Sequence, residues 1–134
     1  MRVLVVEDDH VSEAILTAFL PDSAEVEVVD NGTDAIERHA RAIDDQHGFD
    51  LICLDVMLPG VDGTAVLRKI REKEKVADLP EDARAKVIMT TSVAERATVL
   101  AILQTGCDGY LIKPYDKTRL LEELERLALI SSIP

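Results

Sequence analysis

Leu51-Ile52-Cys53-Leu54-Asp55 is the stretch that decides the fold. Four apolar residues run without alternation and end on one acid. A strand with one wet face alternates apolar and polar residues, so an unbroken run implies cover on both faces, as in the middle of a parallel sheet. Around it, short apolar runs alternate with amphipathic stretches along all 134 residues.

On the N-terminal side, Arg2 to Val6 forms a first strand and Val26 to Val29 a second. Between them Val11, Ala14, Ile15, Ala18 and Phe19 recur at helical spacing, and Pro21 ends that helix. Asn31-Gly32 turns the chain. Thr33 or Asp34 then caps a second helix that turns Ile36, Ala40 and Ile43 to one face. On the C-terminal side, the turn-rich Pro59 to Gly63 leads to a helix carrying Ala65, Val66, Leu67 and Ile70. Lys75 to Lys86, charged and interrupted by Pro80, is expected to be a long loop with an extra helical turn. Val87 to Thr91 is a strand. Ala94 to Thr105 is a helix stopped by Gly106. Tyr110 to Ile112 is the last strand. Asp116 caps a final helix with Leu120, Leu121, Leu124 and Leu127 inward. Five strand–helix units without repeat or linker imply one α/β domain over 1–134: a three-layer, doubly wound, five-stranded parallel sheet with five helices.

Composition narrows the function. The net charge of −11 argues against direct nucleic-acid binding, which needs Lys/Arg patches. The apolar stretches are far shorter than the ~20 residues of a membrane span, and Met1 leads straight into a strand and acids, so no signal peptide is expected. Cys53 and Cys107 lack metal-ligand spacing and are expected to be reduced thiols, in keeping with a cytoplasmic location.

In such sheets the active crevice lies outside the carboxyl ends of the strands. The first strand ends in Glu7-Asp8-Asp9, the third in Asp55, the fourth in Thr91-Ser92, and the fifth in Lys113-Pro114. Carboxylates gathered at one rim repel unless a cation or protons intervene. Oxygen donors alone favour Mg²⁺ or Mn²⁺ over zinc. A cation, an ammonium and a hydroxyl together suit an incoming phosphoryl group.

Val5 to Asp9, the run Leu54-Asp55-Val56-Met57-Leu58-Pro59-Gly60-Val61-Asp62-Gly63, Met89 to Ser92, and Tyr110 to Tyr115 resemble the receiver domains of bacterial-type response regulators. The likeness covers nearly the whole chain, in order. It implies the flavodoxin-like strand order 2-1-3-4-5, with Asp55 as phosphoacceptor. It further implies Mg²⁺ held by Asp8, Asp55 and the Met57 carbonyl, with Glu7 acting through a bound water. Lys113 and Thr91 would bind the phosphoryl oxygens, Thr91 and Tyr110 would switch, and the Lys113–Pro114 bond would be cis. Asp9 is expected to be an exposed acid in the first turn of its helix. Ser92 stands where the family usually has Ala. Lys75 to Lys86 and Ala42 to Phe49 are longer than the pattern needs and are expected at the surface, away from the site.

The same likeness implies a histidine kinase or histidine phosphotransfer protein as phosphoryl donor, a downstream protein target, and a monomer or weak dimer. With no effector domain expected, output would pass through protein contact, the alternative being a phosphorelay intermediate or phosphate sink. Two rival readings fit less well. A phosphatase of this architecture needs a second acid where Met57 stands, so a substrate-turnover enzyme is not expected. A flavin binder needs a phosphate loop where Glu7-Asp8-Asp9 stands.

Overall fold

The computed structural model describes residues 1–131. Five strands form one sheet: β1 (Arg2–Val6), β2 (Glu25–Val29), β3 (Leu51–Asp55), β4 (Lys86–Thr91) and β5 (Gly109–Ile112). All neighbours are parallel, in the order β2-β1-β3-β4-β5. β3 is central and buried throughout, which accounts for its unbroken apolar run. Five helices cover the sheet: α1 (His10–Phe19), α2 (Gly32–Asp44), α3 (Gly63–Val76), α4 (Arg96–Leu103) and α5 (Lys117–Arg126). Odd and even residues of β3 feed two cores. Ile52 and Leu54 meet α2, α3 and α4 through Ala35, Val66, Leu67, Ile70 and Ile102. Leu51 and Cys53 meet α1 and α5 through Leu16, Leu120 and Leu124. Each Leu, Ile or Val side chain among them, fully buried, stabilises the fold by about 2 kcal/mol.

The helices differ from expectation in their faces. α1 buries Leu16, with Leu20 just beyond its end, while Val11 and Ile15 are 67% and 44% exposed. Apolar residues surround this helix almost completely, so periodicity admits two faces; the core takes the larger pair at i and i+4. α2 is capped by Asn31, whose side chain accepts from the Asp34 amide, and not by Thr33 or Asp34. Its buried face is Ala35, His39 and Ala42, while Ile36, Ala40 and Ile43 are only half-buried. At its first residue α2 lies close against α3: a Cβ on Gly32 would stand 2.6 Å from Val66 Cγ2. In α5, Leu120 and Leu124 are fully buried, and Leu121 and Leu127 are half-buried.

Lys75 to Lys86 starts in the last turn of α3, which runs on to Val76, and the expected extra helical turn in the loop beyond is a 3₁₀ turn over Glu81–Ala83. The segment lies at the amino-terminal rim of the sheet, where the Lys86 amide bonds the Asp50 carbonyl. α4 is shorter than expected, and Gly106 follows it at φ +96°. Among the described residues no helix is long and apolar enough to cross a membrane. Cys53 and Cys107 are free thiols, and burial pushes the Cys53 thiol up to about 12.

Candidate functional site

The carboxyl ends of β1, β3 and β5 bring four charged groups together. Glu7 and Asp8 follow β1, Asp55 ends β3, and Lys113 follows β5. Strand pairing sets this convergence: Val6 lies opposite Leu54, Asp55 opposite Thr90, and Thr91 opposite Ile112. Glu7 and Asp55 are each only 6% exposed, whereas Asp8 is exposed. Carboxylate oxygens of Glu7, Asp8 and Asp55 all lie within 4.8 Å of one another. Lys113 Nζ donates to Glu7 Oε1, and to Asp55 Oδ2 at 3.1 Å. The Lys113–Pro114 peptide is cis.

One ammonium does not balance three carboxylates. Burial raises the Glu7 pKa, and the adjacent Asp55 carboxyl adds to that, so it stands at about 7 against an ordinary 4.5 despite the bond from Lys113. Burial works the other way on Lys113, but hydrogen bonds to Glu7 and Asp55 more than offset it and hold the ammonium above its usual range. A hard cation would relieve the Glu7–Asp55 repulsion directly. The donor set fits one: three convergent carboxylates, two of them buried, with no imidazole or thiolate among them.

The remaining sequence candidates stand around this cluster. The Met57 amide donates to Asp55 Oδ1 at 2.9 Å and so fixes the carboxylate, while its side chain is 68% exposed. Thr91 is buried at the end of β4, and its Oγ1 accepts from the Val93 amide at 3.1 Å. Tyr110 is half-buried on edge strand β5 and packs against the core beneath α4. Among the described residues no hydrogen bond joins Thr91 or Tyr110 to Asp55. Asp9 differs from expectation. It is the N-cap of α1, not a first-turn acid, accepting from the Val11 and Ser12 amides and from Ser12 Oγ at 2.7 Å. The Ser12 hydroxyl is the main reason its carboxyl falls below the ordinary value.

Two contacts were not foreseen from the sequence. The Glu7–Lys113 bond joins residues 106 apart, and only the pairing of strands brings them together. Gly63 opens α3 directly against β3, where a Cβ would lie 2.3 Å from the Asp55 carbonyl oxygen. The Gly63 amide bonds the Val56 carbonyl at 3.0 Å, so only glycine allows this approach.

Known proteins resemble this chain in sequence and fold. The receiver domain of the sensor histidine kinase PA1611 from Pseudomonas aeruginosa PAO1 was solved with a magnesium ion coordinated in its active-site cleft. It matches at a TM-score of 0.76 and 29% identity, over 93% of this chain and 94% of that one. The chemotaxis protein CheY of Bacillus subtilis is 27% identical, covering 93% of this chain and 95% of CheY. Hybrid signal transduction histidine kinase L of Dictyostelium discoideum is 34% identical over 126 residues, which make up 93% of this chain and 7% of that protein. The chain spans less than half the length of several curated relatives it matches. The model of the response regulator receiver domain matches residues 3–125. With its strand order and helices arranged as in that fold, the chain belongs to the response regulator receiver domain family.

Proposed function

We propose that the chain is a phosphorylation switch in which Asp55 accepts a phosphoryl group from a histidine kinase or a histidine phosphotransfer protein. One observation carries the reading: a buried Asp55 carboxylate with an ammonium 3.1 Å from one oxygen and two further carboxylates within 4.8 Å. Asp55 oxygen forms the new bond to phosphorus while the bond from phosphorus to the donor imidazole nitrogen breaks. The electron pair leaves on that nitrogen.

Asp8, Asp55 and the Met57 carbonyl would hold Mg²⁺ (or Mn²⁺), with Glu7 acting through a water. The bound cation supplies positive charge that offsets the crowded acceptor and phosphoryl oxygens. Lys113 follows the negative charge, exchanging carboxylate partners for phosphoryl oxygen. The Thr91 hydroxyl accepts from the Val93 amide, so its own hydrogen remains available to a phosphoryl oxygen. Movement of Thr91 toward the site would leave space into which Tyr110 turns. The state of Asp55 would then be read on α4, β5 and α5, where Leu100 and Leu103 are exposed, by a downstream protein target.

A donor protein must contact the rim of the site. The exposed Val11 and Ile15 of α1 lie there, and Ile15 shares a cavity of about 340 Å³ with Ser12, Ser92, Lys113, Pro114 and Tyr115. Ile15→Asp should therefore slow transfer from a protein donor while leaving labelling by acetyl phosphate intact.

The deciding experiment is incubation with Mg²⁺ and acetyl phosphate, read by intact mass. One phosphoryl adduct is expected on the wild type and none on Asp55→Asn. Undiminished labelling of Asp55→Asn, or no labelling of the wild type where a known receiver is labelled, would sink the proposal.

A further inference from the structure

The two ends of α4 are held in different ways. Its amino-terminal end adjoins the site, because β4 closes on Thr91 and the chain turns into the helix over residues 92–95. Residues 92–97 are all exposed, and the N-cap residue Glu95 makes no side-chain hydrogen bond to the first turn. The turn is joined to the sheet by the bond from the Val93 amide to Thr91 Oγ1 at 3.1 Å. α4 buries Val99 and Ile102, both beyond its first three residues. A helix this short is not stable by itself, so its contacts and its ends decide where it lies.

The other end is tied down. Gly106 follows α4 at φ +96°, and its carbonyl accepts from Arg71 Nε at 3.3 Å. Asp108 Oδ2 accepts from Arg71 Nη2 and from the Val87 amide, each at 2.8 Å. The Asp108 carbonyl accepts from Arg126 Nη2 at 2.6 Å. Asp108 thus joins this end of α4 to α3, β4 and α5. Arg71 is held in turn by Glu74 Oε1 and by the Ala85 carbonyl, both at 2.8 Å from Nη1. A planar guanidinium bonded on all these sides has one orientation and does not follow a moving helix.

We propose that Arg71 is the pivot of α4. It holds Gly106 and Asp108 in place whatever the state of Asp55, so a change at Thr91 swings the amino-terminal half of α4 about Gly106 and does not displace the whole helix. Hinges of this kind are a few residues at the end of an element, and glycine at positive φ bends there without steric cost. Residues 93–100 then report the state of Asp55 against a fixed frame at 103–108. What drives the swing rests on the phosphoryl reading; the pin itself does not.

The test is ¹H–¹⁵N NMR of the full chain with Mg²⁺, before and after beryllofluoride, which stands in for a phosphoryl group on Asp55. Wild type should shift over residues 93–100 and stay nearly in place over 103–108. Asp108→Asn keeps an oxygen for the Val87 amide but loses the charged partner of Arg71. Its shifts should spread through 103–108 while acetyl phosphate labelling stays at the wild-type level. Arg71→Gln should do the same more strongly, and Asp108→Asn serves should that variant not fold. Relaxation dispersion on the metal-free chain reads the pivot without phosphoryl chemistry. Microsecond-to-millisecond exchange should be confined to 93–100 in wild type and reach 103–108 in Asp108→Asn. If beryllofluoride shifts no amide near Asp55, the phosphoryl reading fails and the relaxation result decides the pivot. Equal shifts or equal exchange in the two stretches of wild type, or a wild-type pattern in both variants, would overturn the proposal.

Discussion

Both rims of the sheet bury acids, and they treat them in opposite ways. At the amino-terminal rim Glu74 is 1% exposed and has three partners, and its carboxyl is held below the ordinary range. Arg71 extends the cluster to Asp108 and to the Gly106 carbonyl, so every charge there is answered. At the carboxyl-terminal rim Glu7 is nearly as buried, yet it faces Asp55 and shares one lysine with it, and its carboxyl is pushed up to about 7. Burial is common to both clusters, so it does not separate a structural acid from a functional one. Unanswered charge does, because it leaves room for a ligand to stabilise the site.

The largest effect should come from breaking the satisfied cluster. Glu74→Ala strands the Ala85 amide and removes the buried partner of His39, and should cost about 3 kcal/mol in urea unfolding. The same cluster sets a pH dependence. A depressed carboxyl contributes stability that is complete above its unfolded value of 4.5 and is lost as pH falls through the folded value. The urea midpoint of the wild type should therefore drop on acidification below 4.5, and that of Glu74→Gln should drop less. A steeper acid loss in Glu74→Gln would contradict the account of this rim.

Next in size is the response to Mg²⁺. At a hundredfold excess over Kd, a ligand that binds only the folded state stabilises it by about 2.7 kcal/mol. Wild type should gain that much in thermal unfolding. Asp8→Asn should gain little at the same concentration, and Glu74→Gln should gain as much as wild type. An equal gain in all three would place the ion elsewhere.

Much of this contrast could be read in the sequence, but not evenly. The central strand was legible because burial on both faces leaves an unbroken apolar run. The acids, the hydroxyl and the lysine at strand ends were legible because parallel topology sends those ends to one rim. The faces of α1 and α2 were not. Apolar residues encircle α1, so spacing alone could not choose Leu16 over Ile15. In α2 the core takes His39, a residue that hydropathy assigns to water, because its partner Glu74 lies 35 residues away. Pairings at that range leave no periodic trace.

Asp55→Asn should have an effect of the opposite sign to Glu74→Ala. Losing one of two facing carboxylates relieves Glu7 and leaves Lys113 its bond to Glu7 Oε1. In chelator, the variant should be as stable as wild type or more stable by about 1 kcal/mol. A clear loss of stability would mean that the carboxyl-terminal rim is as well satisfied as the other.

The smallest effect belongs to an acid that crosses the comparison. Asp9 adjoins Glu7 and Asp8 in sequence, yet its carboxylate is answered by Ser12 Oγ and by the Val11 and Ser12 amides, in the manner of Glu74. Its lowered pKa follows from those bonds, and the cap closes the first turn of α1. Asp9→Ala should therefore lower the melting temperature slightly through α1. Mg²⁺ affinity and acetyl phosphate labelling should stay as in wild type, because the carboxylates that converge are Glu7, Asp8 and Asp55. Asp9→Asn, which keeps an accepting oxygen at the cap, should restore most of the lost stability. If Asp9→Ala instead weakened Mg²⁺ binding as much as Asp8→Asn, the metal-binding acids would be Asp8 and Asp9 rather than Glu7 and Asp8.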